Sequence, residues 1–141
     1  MSRYLVDNSV LQRLPRSPEI QSAVRSLLDD EHELCCCALS LDEFGYSARS
    51  ATEYLEASRR LRTSFLYLPL SAEIDQIILD IRAALWNAGT GRGAGVIDVA
   101  LAATAVHAGS VVLHYDGDFD HIAAAYPLLR ARWVVPRGSV A

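Results

Sequence analysis

Short apolar runs alternate with stretches of helical spacing along almost the whole of this chain, and few folds satisfy that alternation. Tyr4-Leu5-Val6 stops at Asp7-Asn8-Ser9, as a strand does when it ends at polar residues able to cap the next element. Ser17-Pro18-Glu19 offers an N-cap, a proline at the first helical position and a first-turn acid. Ile20, Val24, Leu27 and Leu28 then recur at helical spacing, so a helix runs to about Asp30. Glu33 to Leu39 has the continuous apolar character of a strand buried on both faces, and Ser40-Leu41-Asp42-Glu43 has the S-x-x-E form of a capping box opening the next helix. A helix over Thr52 to Arg62, an apolar run at Phe65 to Leu68 and a helix from Ser71 come next, the last with Ile74, Ile77, Ile78, Ile81 and Leu85 on one face.

A glycine-rich loop spans Gly89 to Gly95. It follows a helix rather than a strand, so it lacks the context of a dinucleotide-binding turn. Beyond it, Val96 to His107 reads as an apolar, alanine-rich helix with Asp98 near its start. Val111-Val112-Leu113 is a strand running into Tyr115-Asp116-Gly117-Asp118-Phe119-Asp120. A last helix, Ile122 to Tyr126, precedes a strand around Trp133 to Val135. Strands alternating with helices predict an α/β sandwich with a central, mainly parallel sheet. The 141 residues carry no repeat, linker or low-complexity tail, which predicts one domain over residues 1–141.

Composition removes several chemistries. All 13 basic residues are arginine, so P-loop NTPases and Schiff-base enzymes, which need a lysine, are excluded. A receiver-like phosphoacceptor fails on the same ground, and a phosphatase with an N-terminal D-x-D fails because position 9 is Ser9. A net charge of -4 is the wrong sign for coating nucleic acid by bulk attraction, so such a substrate must be held locally, by arginine or by a metal. Cys35, Cys36 and Cys37 are consecutive, without C-x-x-C spacing, and read as small strand hydrophobes rather than a zinc or disulfide framework. No window approaches the roughly 18 apolar residues of a membrane span, and the expectation is a soluble cytoplasmic protein with no membrane partner.

Four acids stand beside apolar elements, where a solvated face does not explain them: Asp7, Glu43, Asp98 and Asp116. Carboxyl ends of parallel strands share one edge, where ligands bind, so one side of the fold can gather all four. Two carboxylates about 4 Å apart repel by roughly 4 kcal/mol at an effective dielectric near 20, so convergence demands shared protons or cations. Oxygen-only ligation favours Mg2+ or Mn2+ over Zn2+, and such a site can cleave a phosphodiester. Each acid also has an ordinary reading. Asp7 can cap the following helix, Glu43 can be the capping-box partner of Ser40, and Asp98 can answer the helix dipole. Among Asp116, Asp118 and Asp120 at least one can be merely a cap.

The order of Leu5-Val6-Asp7-Asn8-Ser9, Leu41-Asp42-Glu43-Phe44, Val96-Ile97-Asp98-Val99-Ala100-Leu101-Ala102-Ala103 and Leu113-His114-Tyr115-Asp116-Gly117-Asp118-Phe119 resembles the PIN-domain nucleases, in particular VapC-type toxins. The resemblance covers essentially the whole chain. It implies a PIN-like α/β/α sandwich and a metal-dependent endoribonuclease with Asp7, Glu43, Asp98 and Asp116 lining the site. Asp118 is implied as an additional acid and Ser9 as a polar neighbour. It also implies a homodimer restrained by a cognate antitoxin. Two positions depart from the pattern: Asn8 stands where Thr is frequent, and His114 where Thr or Ser is usual.

The reading that results is a Mg2+-dependent ribonuclease toxin acting on RNA, with tRNA or rRNA as substrate. Asp7, Asp98 and Asp116 are the first metal ligands, with Glu43 and Asp118 holding waters or a second ion. For RNA contact, Arg92 in the glycine-rich loop is more suggestive than Arg49, Arg59, Arg60 and Arg62, which suit a solvated helix face. The rival is a catalytically silent module of the same fold that acts only by binding a partner.

Overall fold

The central strand, β1 (Arg3–Val6), is flanked by β2 (Glu33–Cys36) and β4 (Val111–His114), and β3 (Leu66–Tyr67) and β5 (Arg130–Trp133) close the edges. All four pairings are parallel, with Leu5 opposite both Cys35 and Val112. This is a computed structural model describing residues 1–141. Seven helices connect the strands: α1 (Asn8–Leu11), α2 (Pro18–Asp29), α3 (Ala38–Gly45), α4 (Ala51–Ser64), α5 (Ile74–Asn87), α6 (Val96–Ala108) and α7 (Asp118–Ala125).

The period of two along each strand splits the core into two layers. Leu5 and Val112 point into a cluster with Ile81 and Leu85 of α5, Leu101 of α6 and Phe119 and Ile122 of α7. Their neighbours Tyr4, Val6 and Leu113 point the other way, against Val10 of α1, Ile20, Val24 and Leu27 of α2 and Leu61 of α4. The result is the α/β/α sandwich expected from the alternation. No helix is long and apolar enough to cross a membrane. The three cysteines are free and buried, as small hydrophobes are, although only Cys35 and Cys36 lie in the strand.

Several boundaries differ from the sequence reading. Cys37, not Ser40, is the N-cap of α3, and the Cys37 backbone N–H donates to Ser40 Oγ at 3.3 Å. The expected strand to Leu39 therefore ends at Cys36, because a short buried apolar run fits strand and helix equally. As the sequence allowed, Asp7 caps the next element, the one-turn helix α1, its carboxylate accepting the Ser9 N–H at 3.0 Å. Helix α7 begins at Asp118 rather than Ile122, and β5 covers Arg130–Trp133, ahead of the apolar Val134-Val135. As an edge strand with no fully buried residue, β5 carries no apolar signature of its own.

Candidate active site

Parallel strands deliver their carboxyl ends to one edge, and there the loops after β1 and β4 are tied to each other. The Asp7 backbone N–H donates to the Leu113 carbonyl at 2.9 Å, and the Tyr115 N–H donates to Ser9 Oγ at 2.8 Å. Asp116 is fixed on both sides of its peptide: its N–H donates to His114 Nδ1 at 3.2 Å, and its Oδ1 accepts the Asp118 N–H at 3.0 Å. Helix α6 brings Asp98 in from its first turn. Carboxylate oxygens of Asp98, Asp116 and Asp118 consequently lie within 4.8 Å of one another.

Asp7 and Glu43 join this set through charge. Burial raises the Asp7 carboxyl above its ordinary range, hydrogen bonds from Ser9 hold it back, and the Asp116 charge raises it further. Glu43 is raised by burial and by Asp7 and Asp116, against a lowering bond from Asn8. Asp98 is pushed up to about 8 by burial, by its hydrogen bond with Asp118 and by the charges of Asp7, Asp116 and Asp118. None of these five acids forms an ion pair; the fold's three are Arg3–Glu33, Arg60–Glu56 and Arg137–Asp120. An all-oxygen donor set with uncompensated, mutually repelling carboxylates fits a hard divalent cation.

His114 is completely buried, its ring 4.9 Å from those of both Phe119 and Trp133. Burial lowers its pKa to about 4, so it is neutral at physiological pH. Nδ1 accepts the Asp116 N–H two residues on, which is the bond a Ser or Thr hydroxyl makes in a turn. That explains how imidazole stands in for the hydroxyl expected there. Arg92 is exposed in a loop braced by Arg82 Nη1 donating to the Gly91 carbonyl at 2.7 Å. The Trp86 ring covers Gly91 so closely that a Cβ there would come within 2.0 Å of it. The glycine-rich loop is thus fastened to α5 rather than free.

The acid cluster sets the pH dependence of the metal-free protein. Between its ordinary 3.8 and about 8, Asp98 keeps a proton in the folded state that the unfolded chain has released, so stability falls as pH rises through that window. His114 works oppositely, but only between about 4 and its ordinary 6.5. The acids therefore act unopposed above pH 6.5. In chelator, the melting temperature declines from pH 6.5 to 8, and saturating Mg2+ abolishes the decline; a flat chelator series would contradict a shared-proton cluster.

The parallel sheet with acids along one edge defines a PIN-like α/β/α sandwich. The PIN domain family model matches residues 4–125. The chain is 36% identical over 138 residues to Ribonuclease VapC51 of Mycobacterium tuberculosis (strain ATCC 25618 / H37Rv), covering 98% of this chain and 97% of that one. It is 31% identical to Ribonuclease VapC21 of Mycobacterium tuberculosis (strain CDC 1551 / Oshkosh), covering 98% of each. Among solved structures, VapBC-1 from nontypeable Haemophilus influenzae matches with a TM-score of 0.75 at 17% identity, over 94% of this chain and 98% of that one. VapBC2 from Rickettsia felis, bound to a DNA fragment from their promoter, matches with a TM-score of 0.74 at 15% identity, over 92% and 97%. The chain belongs to the PIN-domain family, alongside the VapC ribonucleases.

Proposed function

We propose that the protein is a metal-dependent endoribonuclease toxin of the VapC type, restrained in the cytoplasm by a cognate antitoxin. The observation that carries this reading is the convergence of Asp98, Asp116 and Asp118 within 4.8 Å, with Asp7 and Glu43 raised by burial and by neighbouring acids and none of the five in an ion pair. The ribonuclease names of the relatives and the VapBC complexes among the structural neighbours support it.

In this reading Asp7, Asp98 and Asp116 hold a divalent cation, Mg2+ or Mn2+, with Asp118 as a further ligand. When bound, the cation supplies the positive charge that lets water attack a phosphodiester and lets the 3' oxygen leave. The chain's own work is positioning. Ser9 ties the β1 and β4 loops together and hydrogen-bonds Asp7, and His114 fixes the Asp116 backbone. Glu43 orients a water at the edge of the cluster, and Arg92 contacts RNA from the glycine-rich loop. The active form is a homodimer, and the resting form a heteromer with the antitoxin.

Incubating the protein with total tRNA and rRNA in Mg2+ tests this, with chelator and Asp98→Asn as controls and new RNA ends mapped. Discrete cuts lost in both controls are the expected result. A folded, antitoxin-free protein that neither cleaves RNA nor binds Mg2+ would be a silent binding module instead. The division of labour gives a second expectation: by calorimetry, Glu43→Gln loses less Mg2+ affinity than Asp98→Asn, and equal losses would overturn the ranking.

A further inference from the structure

Next to Asp116 and Ser9 a cleft of about 510 Å3 opens, walled by Arg13, Tyr115, Trp133 and Arg137. Neither arginine belongs to the acid motifs, and the fold brings them together from opposite ends of the chain. Arg13 is held in place: Nη1 donates to the Ser9 carbonyl at 2.8 Å and Nε to the Ala141 carbonyl at 3.0 Å. Its guanidinium lies 4.9 Å from the centre of the Tyr115 ring. Tyr115 in turn clasps the last residues, its hydroxyl donating to the Val140 carbonyl at 2.9 Å and accepting the Val140 N–H at 3.1 Å. Two of the five guanidinium N–H groups of Arg13 are used, which leaves three for a ligand.

Arg137 faces the cleft differently. It lies 5.6 Å from the centre of the Trp133 ring, is 73% exposed, and makes one long contact of 3.9 Å to Asp120. An exposed pair of that length is worth little, so this guanidinium is available. The cleft thus joins a hydrogen-bonded and an exposed arginine, each backed by an aromatic ring, to the edge of the acid cluster. A strand drawn to that edge passes beside carboxylates that repel its phosphates, and in a chain of net charge -4 the compensation must be local.

We propose that this cleft seats the backbone phosphate of the RNA strand adjacent to the bond being cut, gripped by Arg13 and Arg137. The inference rests on the nuclease reading above and adds a substrate subsite to it. Guanidinium is the suitable cation because it offers a planar fork to phosphate oxygens and stacks on aromatic faces.

The test is steady-state cleavage of tRNA in Mg2+ across a salt series by wild type, Arg137→Gln, Arg13→Gln and the double variant. Each single variant raises the apparent KM about tenfold with kcat nearly unchanged, and flattens the salt slope of log(kcat/KM) by about 0.7 to 1. Arg137 is exposed, so its substitution leaves folding intact and decides the matter if Arg13→Gln melts early. If wild type cleaves while Arg137→Gln keeps the same KM and salt slope, or loses only kcat, the cleft proposal is overturned and the nuclease reading stands. If wild type neither cleaves nor binds Mg2+, the nuclease reading fails and the cleft proposal falls with it.

Discussion

Asp98→Asn lowers RNA cleavage at least a hundredfold while raising the melting temperature of the metal-free protein by a few degrees. The two effects share one cause. Asp98 lies among the charges of Asp7, Asp116 and Asp118, which together with burial push its pKa to about 8. A carboxylate in that position is unfavourable for the metal-free fold, and a bound cation would relieve it. Asparagine keeps the shape and is neutral in both states, so the fold no longer has to take up the proton that Asp98 holds there below about pH 8. A hundredfold loss is about 2.7 kcal/mol of barrier, within the several kcal/mol that metal charge supplies to phosphodiester cleavage. Cleavage assays in Mg2+ paired with scanning calorimetry in chelator check both halves. Lost activity together with a lower melting temperature would instead make Asp98 a structural residue.

The same tension explains which parts of the molecule were legible in the chain. Acids that close apolar runs are conspicuous because nothing in core packing calls for them, so Asp7, Asp98 and Asp116 stand out before any fold is known. The order of strands and helices is legible for the related reason that the periods of 2 and 3.6 differ. Boundaries were less so. Ser40 reads as an N-cap because hydroxyls favour that position, yet in the fold its Oγ reaches back from the third helical position to the Cys37 N–H. Thiol and hydroxyl exchange roles there, and the S-x-x-E pattern falls three residues late. Edge strand β5 has exposed or half-buried side chains throughout, so its residues announce neither strand nor core.

Arg13 and Arg137 were invisible for a different reason. Each is an ordinary surface arginine by its neighbours in sequence. Only the return of the last residues onto Tyr115 places them on one cleft, and that return depends on single hydrogen bonds between distant residues. Arg92, prominent by its place in a glycine-rich loop, lines a separate cleft with Arg82, Trp86 and Gly95. Local pattern therefore finds the acids, whose environment is set by the strands they terminate. It misses cations whose environment is set by tertiary closure.

His114→Ala destabilises the fold by about 3 kcal/mol, which lowers the melting temperature by about 10 °C. The imidazole is fully buried between Phe119 and Trp133, so truncation leaves a cavity that two large rings cannot easily fill. It also removes the acceptor for the Asp116 N–H and loosens the loop carrying that acid. His114→Ser separates the two contributions. Its hydroxyl restores an acceptor two residues before Asp116 but not the lost volume, so it melts nearly as early as the alanine variant yet cleaves RNA closer to wild type.

The pH dependence identifies the ring independently. With the folded pKa at about 4 and the ordinary value at 6.5, the unfolded chain binds a proton that the folded protein refuses, so this group costs stability as pH falls from 6.5 towards 4. Removing the ring removes that cost. Plotted against pH, the stability difference between wild type and either variant narrows on the acid side and is constant above 6.5. A difference independent of pH would mean that His114 takes up its proton in the fold as readily as in the unfolded chain, and an unchanged melting temperature would mean that its packing carries no weight.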